Sequence, residues 1–537
     1  MLRIPAPLLA VMVLAAVGCR SDPAPGGSEG DRAVAPVRGG NLVRALNYGD
    51  PGNLDPIVKP DVATQMVDIN IFSLLVRYDP TTRELEPDLA ESWEASDDAR
   101  SYRLRLRRDA KFHNGRTVTP ADVKYSFERL VNPKSASPSA NLLADVAGAR
   151  DFMAGAASEI HGIRVEGDVV AFTLDTPRPT FLLTLTGVQL SIVPREEVER
   201  AGQDFGRRPV GSGPFVFESW NPDDKIVLRA NPSYFAGRPY LDRVTFRIMK
   251  EEVTRDAEFQ TRKLDMMTAL EPTYARYRAN PRYRDDILEV PELFTRAIFF
   301  NTREKPFDDP RVRRAVNHAI DKRLAVKKVL LDKAYPAVGP LPRSNPAFNE
   351  DLEGYAYDPK KARALLLEAG LGDGFEMEVL ASAPGARVME GISSFFQEVG
   401  IRLKITQLEA TTLLERARSG DFRTVYFSTG GEIDPVGFLE NRLHSKNAGR
   451  KGNYTFYSNP RVDELLDEAV STIDEGGRFK LARQAEEIVV ADAPWFFFNY
   501  NKAAIIHQPW VRGLQPVPTD IDYQNLSKVW LAPREQR

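Results

Sequence analysis

The sequence predicts an α/β body built as two lobes, and three observations lead there. Its 537 residues exceed what one hydrophobic core usually organises. Segments with strand periodicity alternate along the chain with capped amphipathic helices, a mixture that bundles and sandwiches do not show. Hydrophobic content of 42% and charged content of 27% are ordinary for a folded body. The 72 basic and 75 acidic residues nearly balance at a formal charge of −3, so nothing points to a polyanionic partner, and no nucleic-acid motif is present.

The N-terminus departs from that character. Arg3 precedes an apolar run from Leu8 to Val17, too short to span a bilayer but the size of a signal-peptide core, so residues 1–18 read as a leader. Cys19 is the only cysteine, which excludes an internal disulfide, and its place after Ala16-Val17-Gly18 resembles a lipobox, although Ala16 stands where leucine is usual. A lipid anchor on Cys19 is expected, against the alternative of a free thiol in a cleaved leader. Residues 19–38, rich in Gly, Pro and Ala, read as a disordered tether.

The stretch 84–131 is the most explicit part of the body. Tyr102, Leu104 and Leu106 alternate with Arg103, Arg105 and Arg107, a strand with one buried face. Asn114-Gly115 favours a turn, and Thr119-Pro120 caps and opens a helix whose Val123, Phe127 and Leu130 share a face. Strands are expected at 169–174, 225–229 and 243–249. Helices are expected after Asp309-Pro310, Asp358-Pro359 and Asn459-Pro460, each a capping side chain ahead of a first-turn proline.

These residues carry a resemblance. Pro87-Asp-Leu-Ala-Glu-Ser-Trp93, Lys111-Phe-His113 with Gly115, and Asp122-Val-Lys-Tyr-Ser-Phe-Glu-Arg129 resemble the extracellular solute-binding proteins of the dipeptide/oligopeptide class (family 5) that feed ABC importers. Pro209-Val-Gly-Ser-Gly-Pro-Phe215, Phe299-Phe-Asn-Thr302, Pro306 to Val316 and Asp492-Ala-Pro-Trp-Phe496 follow in family order. The resemblance implies the class II periplasmic-binding-protein fold. Lobe I would hold 39–290 and 503–537, with an extra subdomain at 61–208, and lobe II would hold 291–502. Thr295 to Asn301 and Trp495 to Ile506 would cross between the lobes and act as a hinge. A monomer working with ABC permease subunits is implied, anchored by lipid on the periplasmic or cell-surface face of a bacterial membrane.

Catalytic chemistry is not indicated. His113, His161, His318, His444 and His507 are far apart and in no metal-ligand spacing, and there is no nucleophile elbow, P-loop or dinucleotide fingerprint. No enzyme activity, cofactor or metal is expected. The candidate ligand residues are Tyr48 and Gly49 after the first strand, Gly211, Ser212 and Gly213, Ser382, the run Thr429, Gly430, Gly431 and Glu432 with Asp434, and Trp495. In Trp495-Phe-Phe-Phe498 at least half of the rings are expected in the core, because neighbours on a strand face opposite ways; Tyr48 is the stronger candidate.

The resemblance also exposes a departure. In dipeptide binders an aspartate four residues before the proline of this segment pairs with the peptide ammonium; here that position is Gly431. Glu432 and Asp434 are offset from it, and Asp434-Pro435 reads as a structural turn. The segment that supplies a carboxylate-binding arginine is shortened to Ala381–Arg387, and Arg387 falls at the start of the next helix, facing solvent. The expected solute is a peptide held mainly through its backbone hydrogen bonds, or another solute such as an opine, a glycoside, a metal chelate or a peptide-like antibiotic. A sensory or scaffolding lipoprotein is the alternative reading, with a secreted hydrolase on the same scaffold behind it.

Overall fold

The computed structural model describes residues 35–58 and 61–533. The leader, Cys19 and residues 19–34 of the tether lie outside the described residues. Within the body the elements expected from sequence form where their patterns place them. Ser101–Leu106 buries Tyr102, Leu104 and Leu106 and exposes Arg103 and Arg105. The helix Pro120–Val131 buries Val123, Phe127 and Leu130. At its start the Asp122 carboxylate accepts from the Thr119 amide at 2.8 Å and from the Thr119 hydroxyl at 2.7 Å, and Arg116 grips the same carboxylate with two nitrogens. Asp309, Asp358 and Asn459 each accept a first-turn amide, as their position before proline predicts.

Two sheets organise the body. The smaller runs in the order Ala90–Ala95, Ser101–Leu106, Val169–Thr173, Ile163–Glu166. It backs a separate core that includes Phe112, Phe127, Phe172 and Phe181 and runs from Leu75 to Ile192, joined by Ile57. That core is narrower than 61–208. The helix Val62–Ile71 turns Ala63, Met66, Val67 and Ile71 into the main core of the first lobe, and Val193, Val198 and Phe205 follow it there.

The larger sheet is eleven-stranded and continuous through both lobes. On the first-lobe side Met266–Thr268, Asn41–Leu46, Arg243–Ile248, Lys225–Ala230 and Phe215–Asn221 follow one another. On the other side Thr424–Gly430, Phe375–Ala381 and Ile401–Gln407 do so. Two long central strands, Ile287–Phe300 and Trp495–His507, pair with each other and join the two halves. In the second lobe both sheet faces are covered, so successive side chains of one strand enter different cores. Trp495 and Phe497 pack with Phe299 on one face, Phe496 and Phe498 with Ile298 and Phe300 on the other. All four rings of the run are fully buried.

The central pairing is interrupted twice, between Pro291 and Thr295 and between Arg296 and Ala297, and the first interruption is the larger. Pro291 faces Lys502 and Thr295 faces Tyr500, so Glu292, Leu293 and Phe294 oppose Asn501 alone. Their backbone bonds are redirected sideways. Leu293 donates to the Pro518 carbonyl (2.7 Å) and accepts from Gly431 (2.8 Å), and the Ser344 hydroxyl donates to the Glu292 carbonyl (2.8 Å).

Candidate functional site

A cavity of about 1030 Å³ opens where three parts of the chain meet. Phe72, Leu74, Tyr78 and the segment 183–189 close it from the first lobe and its subdomain. Tyr234 to Tyr240 and Val517 to Thr519 form the floor, with Tyr523. Gly431 to Asp434, Gly437, Glu440 and Asn441 face them from the second lobe. Among the described lining residues none is His, Cys or Met. The volume sits at the top of the usual range for small-molecule sites, roughly 300–1,000 Å³.

The second-lobe wall follows from two local constraints. The strand Thr424–Gly430 ends at two glycines that both have positive φ, +144° at Gly430 and +91° at Gly431. A Cβ on Gly430 would lie 1.9 Å from the Leu293 carbonyl oxygen, and one on Gly431 would lie 3.1 Å from the Phe294 ring. The position at which dipeptide binders carry an aspartate is therefore shaped for glycine in this chain. Asp434 then caps the helix Pro435–Leu443 by accepting from Val436 and pairs with buried Arg478 at 2.8 Å. Arg442, from the same helix, reaches back to Glu432 at 2.7 Å and to the Thr429 hydroxyl at 2.8 Å. Glu440 pairs with Lys446 at 2.9 Å. Every carboxylate on this wall thus has a cationic partner. Burial still pushes the Glu432 carboxyl up against the pull of Arg442.

Of the twelve ligand candidates, only Gly431, Glu432 and Asp434 line the cavity. Thr429 stands behind it as the acceptor for Arg442, and Gly430 is spent on the close approach to Leu293. Trp495 is corrected to a core residue, fully buried with its ring centroid 4.6 Å from that of Phe299. Gly211, Ser212 and Gly213 are corrected to a packing turn. A Cβ on Gly211 would lie 2.1 Å from the Ile71 carbonyl oxygen, Gly213 donates to that carbonyl at 2.8 Å, and Ser212 is fully buried. His113 fastens the same turn. It accepts from Gly211 at Nδ1 and faces the Gly213 carbonyl with Nε2, a neutral arrangement that agrees with its pKa, lowered to about 4 by burial. Ser382 precedes the helix Ala383–Glu398 outside the cavity, and Arg387 is exposed on that helix.

Tyr48 and Gly49 do not line the cavity. Tyr48 is 52% exposed, and Gly49, at φ +104°, lets the Lys250 side chain pass over it. Although the residue as a whole is half exposed, desolvation of its phenol, together with the charges of Asp522, Asp520 and Glu292, pushes that group up. That acidic group was not legible in the sequence, where carboxylates are too numerous to signal anything singly.

Comparison with known proteins agrees with this architecture. The family model of bacterial extracellular solute-binding proteins, family 5 (Middle), matches residues 84–450. The chain belongs to this family. As a family 5 solute-binding protein, it is the component of an ABC importer that captures the solute. It is 32% identical over 474 residues to heme-binding protein A of Haemophilus influenzae, covering 84% of this chain and 85% of the relative. Di/tripeptide-binding protein 2 of Pseudomonas aeruginosa is 30% identical over 448 residues, 79% and 83% of the two chains. The periplasmic binding protein DppA of Helicobacter pylori, solved with the peptide STSA, superposes with a TM-score of 0.78 at 28% identity over 93% of this chain and 99% of that one. No helix among the described residues is long and apolar enough to cross a membrane.

Proposed function

We propose that this solute-binding protein takes a peptide or peptide-like solute larger than a dipeptide, closes two lobes around it and hands it to an ABC permease. The observation that carries the reading is the cavity itself. Both lobes contribute walls, so a solute gains its full set of contacts only when they approach. Its volume of about 1030 Å³ exceeds what two residues fill. The names of the Pseudomonas and Helicobacter relatives, both peptide binders, support the solute class. For the haem of the Haemophilus relative's name, the described lining residues offer tyrosines but neither imidazole nor sulfur to an iron.

In this proposal lobe I spans 39–290 and 503–537, lobe II spans 291–502, and the hinge is the pair of crossing segments Thr295 to Asn301 and Trp495 to Ile506, next to the mismatched stretch Glu292–Phe294 with Asn501. The body is a monomer without enzymatic activity, tethered through lipidated Cys19 on the outer side of a bacterial membrane. Small-angle scattering tests the capture mechanism. Adding the solute that native mass spectrometry finds on the purified protein lowers the radius of gyration at constant secondary structure. An unchanged curve from a demonstrably ligand-free protein removes the hinged-receptor reading. Labelled palmitate incorporated into Cys19→Ser removes the anchor.

A further inference from the structure

The charges that line the cavity are already engaged. Within the lining Arg77 pairs with Asp88 at 2.8 Å and Arg178 with Asp145 at 2.6 Å. Arg107 pairs with Asp109 at 2.8 Å and Arg238 with Asp242, while Glu432, Asp434 and Glu440 are held by Arg442, Arg478 and Lys446. Asp79 accepts from the amides of Thr81 at 2.6 Å and Thr82 at 3.0 Å. The other charged lining residues, Arg38, Glu86 and Lys528, are exposed to water, which screens them. An ammonium or carboxylate brought into this cavity would find its counter-charge taken, and an uncompensated charge out of water is strongly unfavourable.

What the lining leaves uncommitted is neutral. Gln65, Gln189 and Gln515, half-buried, and Asn141 and Asn441, exposed, all line the cavity, and none of their carboxamides makes a hydrogen bond among the described residues. They come from both sides of the cleft. Gln65 stands on the helix Val62–Ile71, Asn141 and Gln189 belong to the subdomain, Gln515 to the returning C-terminal segment, and Asn441 to the helix Pro435–Leu443 of the second lobe. A carboxamide carries a donor and an acceptor in one plane, the same pair that a peptide group offers. Near the floor Phe235 is half-buried, with the Arg107 guanidinium over its ring at 4.3 Å and the Tyr234 ring 4.6 Å away. It supplies an apolar shelf that asks no charge of the solute.

We infer that the cavity takes an uncharged peptide, one whose ends are blocked or joined in a ring, and that the carboxamides of Gln65, Asn141, Gln189, Gln515 and Asn441 bond its peptide groups. This rests on the peptide-type reading above and adds the state of the ends. A free peptide enclosed between the lobes brings an ammonium and a carboxylate with it, whereas a blocked one brings only groups that carboxamides satisfy. Gly431 fits the same reading, because an aspartate at that point of the lining would face a neutral solute as an unpaired carboxylate.

The test uses the full mature chain and a synthetic set of tetra- and hexapeptides of Ala, Ser, Thr and Gly in three forms: free, N-acetylated with C-amidation, and joined head to tail. Native mass spectrometry reads capture and calorimetry reads affinity. The blocked or cyclic forms bind about tenfold or more tighter than the free ones, and their affinity changes less than about twofold between roughly 50 and 500 mM salt. Gln189→Leu and Asn441→Leu each weaken the blocked or cyclic form about three- to tenfold, the loss of one neutral hydrogen bond. Unchanged melting temperatures establish that both variants fold. Free peptides that bind as tightly as blocked and cyclic ones overturn the inference, as does a blocked or cyclic form whose affinity neither variant changes. If the set is not captured, a bacterial periplasmic extract is offered. A captured peptide without charged ends supports the inference, and one with free ends overturns it and leaves the receptor standing. A captured solute that is not a peptide overturns the peptide reading and this inference with it, and no capture from either source overturns the receptor as well.

Discussion

Two groups of carboxylates solve the same electrostatic problem in opposite ways. On the second-lobe wall, Glu432, Asp434 and Glu440 are each paired, with Arg442, Arg478 and Lys446, and the glycines beside them admit no further side chain. Outside the cavity lining, near the central strands, Asp522 pairs with Arg44, while Glu292 and Asp520 accept only from the Ile521 and Asp522 amides among the strong contacts. A paired carboxylate is a structural element, and removing it harms the free protein. An unpaired one is a standing cost to the free protein. Position separates the two groups, since Glu432, Asp434 and Glu440 line the cavity and the other three do not.

The sharpest way to break the second-lobe wall is Gly430→Ala. The new methyl group would meet the Leu293 carbonyl at 1.9 Å at a φ that alanine avoids, so the pairing of Phe294 with Gly430 has to open. A loss of roughly 2–4 kcal/mol is expected in denaturant unfolding. A loss below about 1 kcal/mol would mean that the hinge backbone yields easily and does not define the wall. Next comes the contrast between Asp434→Ala and Asp520→Asn. The first removes a helix cap and leaves Arg478, 7% exposed, without its carboxylate, for roughly 2–3 kcal/mol. The second relieves like-charge repulsion and leaves the free protein as stable or more so. Equal destabilisation by the two would erase the distinction between the groups. Grafting the missing aspartate, Gly431→Asp, is expected to cost about 1–2 kcal/mol through its φ of +91° and to leave ordinary dipeptides bound weakly. Submicromolar binding of dipeptides by the unmodified protein would show that Gly431 is not where the ammonium is decided.

Much of the fold was legible because its signals are local. Alternation at 101–106, the Thr119-Pro120 start and the three Asx-Pro caps each specify an element within a few residues. The resemblance supplied the two crossing strands, which no local pattern could pair across some 200 positions. Where the subdomain begins was not legible locally, since the helix Val62–Ile71 has apolar residues that serve either core and only packing assigns them. Glu432 and Asp434, expected next to a recognisable motif, line the cavity. Trp495 and Ser212 misled because an aromatic at a hinge and a serine between glycines look the same in sequence whether they face a cleft or a core. The Asp520, Asp522 and Glu292 group could not be read at all, because Glu292 lies some 230 residues from the other two and only the fold brings it to the Ile521 amide.

The second lobe does keep a carboxyl with no ion-pair partner, but behind the wall, and this gives the smallest and most specific expectation. Glu486 is buried; one oxygen accepts from the Leu341 amide at 3.0 Å and the other has no partner among the described residues. Burial raises its pKa to about 8, whereas in the unfolded chain it titrates near the ordinary value of about 4.3. Between those values the folded state holds a proton that the unfolded state has released, so stability is highest below the unfolded value and falls as pH rises towards 8. From pH 7 to 9 this amounts to about 1 kcal/mol. Glu486→Gln keeps the acceptor for Leu341 and has no proton to lose, so its unfolding free energy should be flatter than that of the unmodified protein by that amount. Equal slopes for the two proteins between pH 7 and 9 would mean that Glu486 is already ionised at pH 7, like the paired carboxylates on the wall.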